Sequence, residues 1–143
     1  MNGNLAQFGE DLRLHLFQLQ ASLNNINGLF TRGPITSETT FANRLGELRA
    51  TMKECSERAA ALRRTLENGL EQSAAIPSET VSRWIGRRQS AQLHARADVI
   101  EQLAAITMEL AALSAIEAER ITMTALLARQ QAVSVQVQRG EQG

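Results

Sequence analysis

Tyrosine is missing from this chain, and aromatic residues of all kinds make up only 3% of it. A β-sandwich or barrel depends on aromatic and β-branched residues and on frequent turn signals. Two prolines and nine glycines in 143 residues supply few such signals. One cysteine, Cys55, excludes an internal disulfide. Lysine is nearly absent: Lys53 is the single lysine among 15 basic residues, the rest being arginine, and 15 acidic residues balance them to a net charge of zero. A generic binder of nucleic acid or of an anionic membrane draws on a cationic excess that this chain does not have. No contiguous apolar run approaches the roughly 18–20 residues that span a bilayer. The opening MNGNLAQFGED lacks a basic segment followed by an apolar one, so the expectation is a cytoplasmic chain, or one exported without a cleaved signal peptide as part of an assembly.

What remains is a helix-forming alphabet. Leu, Ala, Gln, Glu and Arg dominate, and 43% of the chain is hydrophobic, enough to bury a core. The length fits one domain over 1–143. The expected class is all-α: an elongated, coiled-coil-like bundle of three helices, with a long third helix that either kinks around Gly86 and folds back or projects unbroken.

A repeated phrase marks the helix boundaries. PITSETTFANRLG at 34–46 and IPSETVSRWIG at 76–86 each place a proline ahead of Ser-Glu-Thr. Pro34 and Pro77 bias the residues before them away from the α conformation and close the preceding helix. Ser37 and Ser78 sit where N-caps belong, and Glu38 and Glu79 follow where negative charge suits the helix dipole. Beyond Ser-Glu-Thr the two segments diverge, so the repeat is punctuation and not a duplicated module.

The first helix is expected over 4–31. Leu5, Phe8, Leu12, Leu16, Leu19, Leu23, Ile26 and Phe30 recur at steps of three and four, with Leu14, Phe17 and Leu29 widening the stripe. Residues 12–20 also alternate partly as a strand would, but the longer register is helical. Its polar positions are mostly amides, which suits a helix packed on more than one side. The second helix, 37–74, carries Phe41, Leu45, Leu48, Met52, Cys55, Ala59, Leu62 and Leu66 as a heptad seam. That register makes Cys55 a buried structural thiol. Glu54 and Arg58 form a favourable i,i+4 pair on the solvated side.

The third helix, 78–138, has a weak point near 86–92, at Gly86 and the polar run after it, and a frayed tail at 139–143. Val99, Leu103, Ile106, Leu110 and Leu113 keep a heptad. The next heptad sites, Glu117 and Arg120, are charged, and apolar residues return out of phase at Ile116, Ile121, Met123, Leu126 and Leu127. The stripe therefore shifts phase near 114–120. An unbroken third helix of about 90 Å would exceed the roughly 42 and 57 Å of the other two. Apolar seam would then remain uncovered by the chain itself.

No catalytic or metal-binding set emerges. His15 and His94 lie on different helices, neither follows a Glu by three residues, and HExxH, CxxC and Gly-rich phosphate loops are missing. The chain reads as a non-enzyme without cofactor or metal. The densest local feature is SRWIGRRQSAQLHAR at 82–96, where Arg83, Trp84, Arg87, Arg88 and Arg96 gather. Such a cluster can anchor a protein partner or stack on a nucleic acid. Trp84-Ile85-Gly86 resembles the W-x-G turn of the small helical-hairpin proteins exported by type VII secretion, although Pro77-Ser78 already marks the turn here and no Tyr is present for that family's export signal. The segment Leu93–Gln131 resembles, in its Ala/Gln/Leu texture, the long helix of minor pilus subunits of type IV secretion systems, polyhydroxyalkanoate-granule phasins and stalk proteins of type III export.

The sequence thus predicts a helical assembly or adaptor protein, working by self-association or within a bacterial or phage machine. Candidate contact residues are Leu5, Phe8, Leu12, Leu16, Leu19, Leu23, Trp84, Arg87, Arg88, Leu110, Leu113, Ile121 and Leu127. Two alternatives accompany it: nucleic-acid binding through Arg83, Trp84, Arg87 and Arg88, and coating of a granule or membrane surface by the first helix.

Overall fold

The structure, a computed structural model, describes residues 2–31 and 38–140, with side chains described for 6–30 and 38–140. The protein is all-α, with no strand among the described residues. Five helices follow one another: α1 (Asn2–Thr31), α2 (Glu38–Ala50), α3 (Met52–Ala74), α4 (Ser78–Gly86) and α5 (Ser90–Gln138).

α5 is the spine. At 49 residues it is roughly 74 Å long. It approaches all four other helices, whereas α1, among the described residues, runs close along α5 and reaches α2 only through side chains such as Leu29. Directions follow from paired residues. His15 and Asn25 of α1 meet Glu109 and Glu119 of α5, so α1 and α5 run parallel. Arg44 and Arg58 meet Glu119 and Glu109 in the reverse order, so α2 and α3 run antiparallel to α5. The path is up, down, up, with α1 and α2–α3 flanking the spine.

One expected helix is interrupted and one expected cap is replaced, each for a local reason. The second predicted helix is interrupted at Thr51, whose hydroxyl donates to the Glu47 carbonyl at 3.2 Å while its amide reaches the same carbonyl at a long 3.3 Å. Such back-bonding by Thr bends helices. α4 starts at Ser78 as expected, but Ser78 is not the cap. Pro77 holds that position at φ −66 and ψ 148, with no side-chain capping bond, and its carbonyl accepts from the Thr80 and Val81 amides. Ser37, the other expected cap, lies outside the described residues.

The break between α4 and α5 falls at 87–89, inside the predicted weak region. The Gln89 amide donates to the Trp84 carbonyl and the Arg88 amide to that of Ile85, and Arg88 takes φ 52. This is the Schellman closure, with an arginine in the left-handed position that glycine normally occupies. Gly86, the only glycine nearby, sits two residues too early to fill it. At the far end α5 continues helically to Gln138 through the stretch where the sequence has no strong period.

The core is thin. Leu45, Leu48 and Met123 form its centre, with Leu29, Phe41, Ile116 and Leu127 packed around them. Leu62 and Leu103 are buried lower down. Gly69 lets Leu103 settle against the α3 backbone, since a Cβ there would overlap the Leu103 side chain. The predicted seam of α2 and α3 does face the spine: Phe41, Cys55, Ala59 and Leu66 are half-buried beside the buried leucines. Met52, one of its members, is 45% exposed.

Candidate interaction surface

Two carboxylates organise one side of α5. Glu119 is 1% exposed and accepts from Arg44 Nε and Nη2, both at 2.7 Å, and from Asn25 Nδ2 at 3.3 Å. Nearly three helical turns below, Glu109 accepts from Arg58 Nε at 2.7 Å and Nη2 at 2.9 Å, and lies 3.9 Å from His15 Nε2. Each pair is bidentate, the strong geometry for Arg and carboxylate. The hydrogen bonds from Arg58 hold Glu109 below its ordinary value of 4.5, burial opposes them, and the charges of Arg58 and His15 add to the lowering. Arg58 therefore turns away from Glu54, its expected helical neighbour, and crosses to the spine. Thus the phase shift near 114–120 has a structural meaning. The buried positions of α5 move onto Ala112, Ala115, Glu119 and Met123, and the helix continues without a break.

The opposite side of α5 is bare. Ala104, Thr107, Ser114, Ala118, Ile121, Ala125 and Ala128 are exposed, Ile121 at 52%. The alanine column of that side is uncharged between Arg96 and Arg129, and exposed Glu117, 3.9 Å from Arg120, borders it. The neighbouring flank of α1 adds Leu16, Leu23 and Phe30, exposed by 41, 50 and 63%. Helix geometry puts the two on one side. His15, Ser22 and Asn25 of α1 point toward the carboxylate side, and Leu16, Leu23 and Phe30 fall on the other edge of the α1 stripe. Together they form one apolar, largely uncharged face along α1 and α5.

The sequence-derived contact residues divide by environment. Leu16, Leu23 and Ile121 are exposed. Phe8, Leu12, Leu19, Leu110, Leu113 and Leu127 are half-buried along the spine, and Leu5 lies outside the described side chains. Arg87 and Arg88 are exposed at the α4 end and Trp84 is half-buried, so the ring offers less than a full face to a base. Cys55 is half-buried instead of enclosed, in an open groove of about 590 Å³ between α3 and α5. Among the described residues, no group of three or more His, Cys, Asp or Glu side chains could hold a metal ion.

The alanine register of α5 was the signal that a search for large apolar residues passes over. Ala97, Ala104, Ala111, Ala118, Ala125 and Ala132 recur every seven residues. Alanine is also why α5, among the described residues, is long and apolar enough to cross a bilayer by length and composition, with mean hydropathy 1.6 over an 18-residue window. Averaged alanine and leucine meet that criterion where no contiguous run does. Glu109 and Glu119, clasped by arginines of neighbouring helices, fit the centre of a packed bundle. No family model, curated protein or solved structure matches the chain.

Proposed function

We propose that this protein is a non-enzymatic assembly or adaptor subunit that works through apolar helix faces left open by its own fold. The observation that carries the reading is the joint exposure of Leu16, Leu23 and Phe30 on α1 and of Ile121 and its alanine neighbours on α5. Monomeric soluble proteins rarely leave such a continuous face to water, because each buried methylene is worth about 0.8 kcal/mol. The thin core points the same way. Long rods joined along one spine have little interior of their own, and contact with a further chain supplies what is missing. A structural or accessory place in a larger bacterial or phage machine agrees with this form.

Light scattering coupled to size exclusion, run from low to high micromolar concentration, tests the reading. The expected result is a mass above 15.7 kDa that grows with concentration, or stoichiometric capture of a defined partner. A monomer at every concentration that binds no partner refutes it.

A further inference from the structure

We infer that the open face of α1 and α5 is the interface of a parallel homodimer, in which the large residues of α1 on one copy seat against the alanine column of α5 on the other. The inference rests on the assembly reading above and names its partner: a second copy of this chain.

The register of the two helices carries it. His15 meets Glu109 and Asn25 meets Glu119, and in both pairs the numbers differ by 94, since 109 − 15 = 94 and 119 − 25 = 94. At that offset Leu16, Leu23 and Phe30 lie level with positions 110, 117 and 124, one residue from Ala111, Ala118 and Ala125. Both columns repeat every seven residues. A ridge of large side chains therefore stands beside a furrow of small ones, at the same heights and on the same side of the molecule. A two-fold axis parallel to the helices and passing between α1 and α5 brings each ridge over the other copy's furrow with no axial slide. That is the self-complementarity an isologous interface requires, and large-into-small packing at seven-residue steps is knobs into holes.

Charge and size agree. The alanine column itself carries no charge between Arg96 and Arg129, and Glu117, exposed at its border level with Leu23, lies 3.9 Å from Arg120 of its own helix, so the column neither repels an identical copy nor selects an oppositely charged partner. The ridge from Leu16 to Phe30 is about 21 Å long and the furrow from Ala104 to Ala128 about 36 Å. With about 10 Å of width for each helix, one copy contributes on the order of 600 Å², and the pair about 1,200 Å². Stable specific interfaces begin near that size.

The experiment uses the full chain in two forms. Ala118→Glu, at an exposed position of α5, is expected to keep the wild-type helical circular dichroism and to weaken self-association at least about a hundredfold in sedimentation equilibrium, because it buries an unpaired charge at the furrow. In a Cys55→Ser background, Leu23→Cys and Ala118→Cys chains are then mixed under mild oxidant. Disulfide between the two variants, in preference to either with itself, is the expected product. Self-linked Ala118→Cys would show α5 against α5 and overturn the inference. So would an Ala118→Glu chain that associates like wild type; in that case the assembly reading stands and only the face is wrong. A wild-type chain that neither self-associates nor cross-links overturns the dimer, and only the further failure to capture any partner removes the assembly reading as well.

Discussion

Removal of the Arg44–Glu119 pair should produce an asymmetric pair of losses, and the asymmetry follows from exposure. Glu119 is enclosed, with 1% of its side chain exposed, whereas Arg44 keeps 35%. Arg44→Ala strands a buried carboxylate with Asn25 as its remaining donor. Stranding one partner of a buried pair costs about 3–5 kcal/mol. Glu119→Ala strands a guanidinium that can rehydrate and that already lies 3.5 Å from Glu47, so about 2–3 kcal/mol is expected, part of it from the cavity left by the side chain. For a chain of this length that is a fall of roughly 8–12 °C in Tm. The double variant Arg44→Met/Glu119→Leu, which replaces both charges with apolar groups of similar length, should lie within about 1.5 kcal/mol of wild type. Urea unfolding followed by circular dichroism, at one fixed protein concentration because association also stabilises, measures these species, and the single variants Arg44→Met and Glu119→Leu close a double-mutant cycle with the double variant. A Glu119→Ala loss below about 0.5 kcal/mol, or one larger than that of Arg44→Ala, would refute this account of the buried pair.

Other expectations follow from the same structure. Arg88→Gly removes the left-handed strain at the α4 end and should raise stability by about 0.5–1 kcal/mol, read as a higher urea midpoint. An Arg88→Ala chain, which keeps a Cβ, should show no such gain. Gly46→Ala meets nothing within 4 Å and should stabilise α2 by up to about 1 kcal/mol. Gly69→Val, which drives into Leu103, should destabilise by about 1–3 kcal/mol. Glu109 has its folded value depressed below 4.5, so its pair with Arg58 contributes stability that is complete above that pH and is lost as pH falls through the lower folded value. Arg58→Ala should therefore flatten part of the acid-side loss of stability below about pH 4.5 and leave the pH 6–8 plateau parallel to wild type. An unchanged acid limb would count against the assignment.

Much of this architecture is legible in the residues. The 3/4 spacing from Phe8 to Phe30 and from Phe41 to Leu66 declares two long helices, because the period of large apolar side chains is set by burial against a neighbour. The polar run after Gly86 announces the break before α5. What the sequence hides are relations between helices. Arg58 has a good local partner in Glu54 and still crosses to Glu109, since a half-buried carboxylate rewards a bidentate donor more than an exposed one does. Glu119 reads as a surface charge interrupting a stripe, and only the approach of Arg44 and Asn25 makes it a core residue. Leu16, Leu23 and Ile121 of the open face stand out as contact candidates in the sequence, but its alanine column escaped for a different reason. Alanine is common in any helix, so its seven-residue recurrence stands out only once the large residues of α5 are seen to point elsewhere.

The two carboxylates also fix the alignment of the rods. A spine of alanine and leucine is nearly the same after a shift of one heptad, and packing alone would tolerate several settings. Moving α5 by seven residues brings Ala112 or Leu126 opposite Arg44 and leaves Glu119 sealed without a cation, at a cost of several kcal/mol. Glu109 and Glu119 therefore act as dowels in an otherwise featureless shaft. Drilled out together as Glu109→Leu/Glu119→Leu, they should leave a chain still helical but with duplicated amide resonances from coexisting settings, whereas a single set of resonances would assign the alignment to packing alone.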